Sequence, residues 1–192
     1  MAYVTTGFSL PYVAKYANTT GTNVFSDGIK LARGVSVSVD ADVVDDNNFY
    51  ADNILAETEN GVVSGGTVTL TVDGLSPAAR RLIMGLPTAN TAGWTSYGDS
   101  AVQPYVGVGF LRRTMNNGVT NWWAVVFPKC KFAFDEDNAE TQEEQIDWQT
   151  TELEATFMRD DTANHAWKYV NDTAYTTEAL AEAALKTFLS IT

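Results

Sequence analysis

Val35–Val43 reads V-S-V-S-V-D-A-D-V. Strict alternation of this kind places Val35, Val37, Val39, Ala41 and Val43 on one face of a β-strand, and Ser36, Ser38, Asp40 and Asp42 on the other. The spacing predicts a half-buried strand with its valines on a core and its acids in water. Thr67–Val72 repeats the pattern, with Thr67, Thr69 and Thr71 opposite Val68, Leu70 and Val72. Trp148–Phe157 does so again: Thr151, Leu153, Ala155 and Phe157 face one way, Glu152, Glu154 and Thr156 the other. Three such stretches predict a mainly β chain with a polar, acidic sheet face.

Working outward, Tyr105–Arg113 and Trp122–Phe127 read as two strands joined across Asn116-Asn117-Gly118, a hairpin-turn signal. Pro128 predicts an edge or a bend, and Lys129–Phe134 a further strand. A short helix is expected from Ser76 to Gly85, with Ser76 as N-cap, Pro77 in the first turn and Gly85 as the stop. A second is expected at 177–189, with Glu178 and Glu182 early and Lys186 late, as the helix dipole favours. Its apolar residues Ala179, Leu180, Ala183, Leu185, Phe188 and Leu189 are the candidates for its buried side. Residues 1–30 show no clear pattern. Residues 44–61 are acidic and polar around Phe49, Tyr50, Ile54 and Leu55, too long for a tight hairpin, and read as a long loop. A Gly/Ser/Thr-rich loop is expected at 87–103 and an acidic one at Asp135–Asp147. The 192 residues show no repeat or low-complexity segment and are read as a single domain.

Charge is concentrated. Nineteen of the 24 acids lie in Gly34–Ala79 and Asp135–Asp161, against Arg159 as the only basic residue of the two windows. Net charge is −12, and paired basics are confined to Arg80–Arg81, Arg112–Arg113 and Lys129 with Lys131. Duplex binding needs a basic patch, so an adhesive nucleic-acid surface is not expected. MAYVTTGFSL has no basic segment followed by an apolar run, so no secretory signal is expected, and no apolar stretch approaches the ~18 residues of a membrane helix.

Residues able to carry chemistry are sparse. The chain has one cysteine, Cys130, and one histidine, His165, so neither a disulfide framework nor a Cys/His metal cluster is expected. Gly98-Asp99-Ser100 is only a fragment of a nucleophile elbow. Asp135-Glu136-Asp137-Asn138 resembles the start of a calcium loop, but the sixth and twelfth positions hold Glu140 and Ile146 where an EF-hand needs Gly and Glu. Trp122 and Trp123 are a possible sugar platform, although neighbours on a strand point to opposite faces. No enzyme, metal or cofactor is expected.

Several stretches together resemble the major tail proteins, or tail-tube proteins, of long-tailed non-contractile phages of Gram-positive bacteria. They are Leu31–Asp42 (LARGVSVSVDAD), Phe49–Thr58 (FYADNILAET), Thr67–Gly85 (TVTLTVDGLSPAARRLIMG), Pro104–Arg113 (PYVGVGFLRR), Trp123–Phe134 (WAVVFPKCKFAF) and Thr141–Asp160 (TQEEQIDWQTTELEATFMRD). The resemblance implies a β-sandwich or barrel with a flanking helix, as in the type VI secretion tube protein; the C-terminal helix at 177–189 is read from the residues themselves. It implies hexameric rings stacked into a tube, with DNA passing through the lumen at ejection without specific binding. It places in the inter-ring loop the 44–61 segment, with Asp45, Asp46, Phe49, Tyr50, Asp52, Ile54, Leu55 and Glu57. The partners it implies are a tape-measure protein, a tail terminator and a distal tail or baseplate protein, in a virion tail assembled in the host cytoplasm, with no membrane. Asp40 and Asp42, with Glu152 and Glu154, are the lumen-facing candidates. The alternatives are a monomeric β-sandwich carbohydrate-binding module and a related secretion-tube protein.

Overall fold

Alternation forms strands here because each strand has one side to bury. Val68, Leu70 and Val72 are fully buried while Thr67, Thr69 and Thr71 face outward. In the strand after them in the sheet, Leu153, Ala155 and Phe157 are buried and Glu152, Glu154 and Thr156 exposed. The computed structural model describes residues 3–59, 61–99, 101–134 and 149–191. In chain order the elements are β1 (Val4–Thr19), β2 (Thr22–Lys30), β3 (Gly34–Val43), β4 (Asn47–Ala51), β5 (Ile54–Glu59), β6 (Val63–Val72), α1 (Pro77–Met84), β7 (Val106–Asn116), β8 (Val119–Phe132), β9 (Thr151–Met158), β10 (Tyr169–Val170) and α2 (Glu178–Phe188). The chain is mainly β.

Seven strands form one antiparallel sheet in the order β2-β1-β7-β8-β9-β6-β3, and β10 adds to β8. The sheet rolls until its ends approach. Leu31 N–H donates to the Pro11 carbonyl at 2.9 Å, and β3 begins so close to β1 that a Cβ on Gly34 would overlap the Phe8 ring. Inside the roll, Phe8, Phe110, Phe127, Phe157 and Trp167 form a chain of ring contacts with centroids 5.0–6.3 Å apart. α1 adds Ala79, Ile83 and Met84 to this core. Its caps are as expected: Ser76 Oγ accepts from Ala79 N–H at 3.1 Å, and Gly85 adopts a left-handed φ of 64°.

A second apolar layer lies outside the roll. α2 packs Ala181, Leu185 and Leu189 on Tyr12, Ala14, Phe25, Leu111, Ala124 and Val126. It approaches closely because β7 offers glycines there: a Cβ on Gly109 would stand 2.6 Å from Leu185 Cδ1. Glu178 and Glu182 also accept hydrogen bonds from Ser9 Oγ and Tyr12 Oη, both at 2.5 Å.

Five sequence expectations are corrected. Residues 4–30, which showed no pattern, form the β1–β2 hairpin. The 44–61 segment is not a loop but the β4–β5 hairpin, closed by a tight turn with both Asp52 (φ 52°) and Asn53 (φ 64°) left-handed. β3 is a strand as expected, but it ends the sheet order and its valine face is largely open: Val35, Val39 and Val43 are exposed, and only Val37 and Ala41 pack on the core. In α2, Ala179, Leu180 and Ala183 are exposed; the buried stripe is Ala181, Leu185 and Leu189, spaced four apart. Lys129–Phe134 is not a separate strand, since β8 runs on to Phe132. Pro128 sits where the β7 register jumps from Val108↔Phe127 to Val106↔Cys130, a bulge after which β8 pairs with β9. The expected acidic loop at Asp135–Asp147 lies outside the described residues.

Candidate functional site

The register fixes where the acids of the two sequence windows meet. Across β3, β6 and β9, Ser36 pairs with Thr71 and Thr71 with Glu152; Ser38 pairs with Thr69 and Thr69 with Glu154. Asp40 pairs with Thr67, Thr67 with Thr156, and Thr156 with Lys131 at the far end of β8. Directly paired residues share a face. Asp40, Asp42, Glu152 and Glu154 therefore stand on one outward face, although more than a hundred residues separate Asp40 from Glu152. All four are exposed, and their carboxylates make no hydrogen bond or ion pair among the described residues. Between them lie only hydroxyls from Ser36, Ser38, Thr67, Thr69, Thr71 and Thr156, with Ser36 Oγ donating to Thr71 Oγ1 at 2.9 Å. Among the described residues Lys131 is the one exposed cation paired into this face; Lys129 beside it is engaged by Asp161 at 2.8 Å.

The β4–β5 hairpin is an arm. Its two strands pair only with each other and form a sheet of their own. Its root continues the β3–β6 ladder: Val44 N–H donates to the Val62 carbonyl at 3.0 Å, and Gly61 N–H to Asp46 Oδ1 at 2.6 Å. Phe49, Tyr50, Ile54 and Leu55 are 64%, 63%, 69% and 49% exposed. Four large apolar side chains on so short a ribbon are a patch that asks for a partner. Alternation along β4 sets Phe49 and Ala51 on one face, where their cross-strand partners are Glu57 and Ile54; Tyr50 and its partner Leu55 take the other. Asp45, Asp46, Asp52 and Glu57 are all exposed along the arm and its root.

One buried polar node escaped the sequence reading. Asp160 is 2% exposed and accepts from Asn23 Nδ2 (2.7 Å), Tyr169 Oη (2.7 Å), Thr162 Oγ1 (2.6 Å) and Ala166 N–H (3.0 Å). Burial alone would raise its pKa; the hydrogen bonds from Thr162, Tyr169 and Asn23 outweigh that and hold the carboxyl below the usual aspartate range. Asp160 ties the chain after β9 to β2. Nothing in the sequence distinguishes it from its 23 acidic companions, because Asn23 lies 137 residues away and the nearer partners Thr162, Ala166 and Tyr169 follow no regular spacing.

The other candidates are dispersed. Trp123 Nε1 donates to Thr114 Oγ1 at 2.9 Å and its ring meets Tyr3 edge-on, while Trp122 carries Arg113 over its face at 5.7 Å. Both rings are half-buried and already partnered, so they do not form an open platform. Cys130 is fully buried in the core, where burial pushes its thiol pKa up. His165 is exposed in the segment after β9, with a left-handed φ of 47°. Ser100 and Asp135–Asn138 lie outside the described residues. No group of three or more metal-ligating side chains occurs among the described residues, and no helix is long and apolar enough to cross a membrane. No protein-family model matches this chain, and no curated protein is significantly similar to it.

Proposed function

We propose that the protein is a self-assembling structural subunit of a phage tail tube, with the Asp40–Asp42–Glu152–Glu154 face turned to the lumen. The observation that carries the reading is that face: four carboxylates unpaired among the described residues, drawn together from two distant acidic windows, set among hydroxyls with Lys131 at the far end. Four strands contribute to it, namely β3, β6, β9 and the end of β8. Six copies give roughly 24 strands, which at ~4.8 Å spacing and ~35–45° tilt close into a barrel about 45–50 Å across the backbone. A duplex roughly 20 Å wide passes such an opening. Each acid then recurs six times per ring. With a Debye length of ~8 Å at physiological salt, the rings make a local negative lining that disfavours adhesion of phosphates. A basic lining would hold DNA by counterion release.

The exposed arm supports the same reading, since a ring-to-ring contact gives its apolar side chains somewhere to go. The partners at the tube ends and inside it would be the tail terminator, the distal tail or baseplate protein and the tape-measure protein that the resemblance implies. The tube would be assembled in the host cytoplasm and carried in the virion. The test is negative-stain electron microscopy of the purified chain at high concentration, beside sedimentation velocity. Hollow tubes or rings with six-fold averages are expected; compact monomers at every concentration count against the proposal.

A further inference from the structure

The rolled sheet does not close. β3 ends the strand order on one side; on the other, β2 covers β1 only from Tyr12 onward. Val4–Ser9 of β1 thus pairs with β7 on one edge and, among the described residues, with no strand on the other. β3 and β1 touch where Phe8 meets Gly34. Alongside, between Val35–Val39 and Thr5–Phe8, lies a groove of about 420 Å³. Two free strand edges flank it, which is an arrangement that accepts extended chain by strand addition.

The groove has a distinct chemistry. Val37, Phe110 and Val125 make it apolar, and Arg112 and Lys168 bring two positive charges into it with no acid in its lining. Arg112 Nε is buried without a hydrogen-bond partner among the described residues. Lys168 lies over the ring faces of Phe127 and Trp167, each at 5.7 Å, and pairs with no carboxylate among the described residues. Burial and then the Arg112 charge lower its pKa, as expected of a cation that lacks a counter-ion. Of the other lysines, Lys15 has Asp27, Lys129 has Asp161 and Lys186 has Glu182, while Lys30 and Lys131 are exposed to water.

The arm has the complementary composition. It is extended, apolar on both faces, and bears Asp52 and Glu57, with no Lys or Arg anywhere between Gly34 and Ala79. Its root continues the β3–β6 ladder onward from Val43 instead of turning back along β3, so it points away from its own groove. We infer that the groove between β1 and β3 is the receptor for the β4–β5 arm of a second copy of this chain, with Glu57 of the arm set against Arg112 and Lys168. This inference rests on the tube reading and names the surface that takes the arm. Arm and groove are different patches, so the contact is head-to-tail and does not close on itself in a pair. Repeated, it builds an open stack. It also covers both free edges and the exposed valines of β3.

The test uses full-length chains. A variant carrying Ile54→Cys is mixed with one carrying Val39→Cys, assembled and mildly oxidised; the native Cys130 is buried and takes no part. An intermolecular 39–54 disulfide, mapped by mass spectrometry, is expected in the assembled fraction. Assembly without that link overturns the groove assignment and leaves the tube reading standing. A 39–54 link formed within one chain, in the double variant, overturns it as well. Failure of the parent chain to assemble under any condition overturns both. Separately, Lys168→Glu and Glu57→Lys should each raise the concentration needed for assembly at least about tenfold, and their combination should return it to within roughly threefold of the parent. Absence of that rescue overturns the charge pairing, as would binding of free acetate or phosphate that leaves assembly unchanged.

Discussion

The two halves of the large sheet solve the same problem in opposite ways. On the β1–β7–β8 half the outward residues are Ala14, Gly109, Leu111, Ala124 and Val126, and α2 covers them. On the β9–β6–β3 half the outward residues are Thr, Ser, Asp and Glu, and none of the described elements covers them. Both halves face the same inner core. The outward set alone decides whether the chain must supply a cover or can leave the face to water or to a passing polyanion. Apolar and small calls for a helix; hydroxyl and acid calls for nothing.

The most damaging change should fall on the covered half. Leu185→Ala removes the centre of the α2 stripe and should cost about 3 kcal/mol in urea unfolding, as buried leucine truncations do. If the cost is under about 1 kcal/mol, α2 is ornamental and the contrast between the halves fails. Next is the tie between them. Asp160→Asn leaves donors of Asn23, Thr162 and Tyr169 competing for a poorer acceptor and should cost about 2 kcal/mol at pH 7. The sign of its pH dependence follows from the lowered folded-state pKa. The unfolded chain binds the proton more readily, so the stabilisation is present above the ordinary aspartate value of about 4 and is lost as pH falls through the lower folded value. Parent and Asp160→Asn should therefore converge in stability below about pH 4. An undiminished gap there would show that Asp160 acts by packing alone.

How much of this was legible in the sequence follows from the same contrast. β6, β9 and the open half announced themselves because each strand there has one wet side, and period two survives. β1 hid because Pro11–Ala14 are all buried, between the inner core on one side and the α2 layer on the other. Its ladder is further broken by bulges at Thr5/Gly7 and Ser9/Tyr12, with Leu10 at φ 53°. The arm was misread as a loop because Asp52-Asn53 is a weaker turn signal than the Asn117-Gly118 of β7–β8, and because neither arm face is buried to impose alternation. The four acids were found singly, but their convergence needed the β3–β6–β9 register. The groove cations carried no joint signal: Arg112 stands out only as half of a basic pair within a strand, and Lys168 sits beside a tryptophan, 56 positions on.

Smaller effects sharpen the contrast. Gly34→Ala places a methyl group on the Phe8 ring and should cost about 1–2 kcal/mol by prising β3 from β1; thermal unfolding checks it. The Asp40→Lys/Asp42→Lys pair should change stability least, within about 0.5 kcal/mol, because both side chains are exposed and unpaired. Its effect belongs to function: tubes form, but DNA ejection slows, the more so at low salt. Normal ejection from fully substituted tubes would place that face on the outside.

The strand order also has a consequence in time. β6 pairs with β3 on one edge and β9 on the other, yet roughly 80 residues of synthesis separate β6 from β9. At ~5–20 residues per second that is about 4–16 s, during which the ribbon of β3 and β6 waits on the ribosome with Val68, Leu70 and Val72 on its unfinished side. The next element out of the exit tunnel is α1, whose Ala79, Ile83 and Met84 share a core cluster with those three residues. If α1 settles on those three residues before β8 and β9 emerge, it shields the ribbon until its neighbours are made. Hydrogen exchange on chains arrested before β9 should find α1 already protected, and its absence there would leave the shielding to a separate factor.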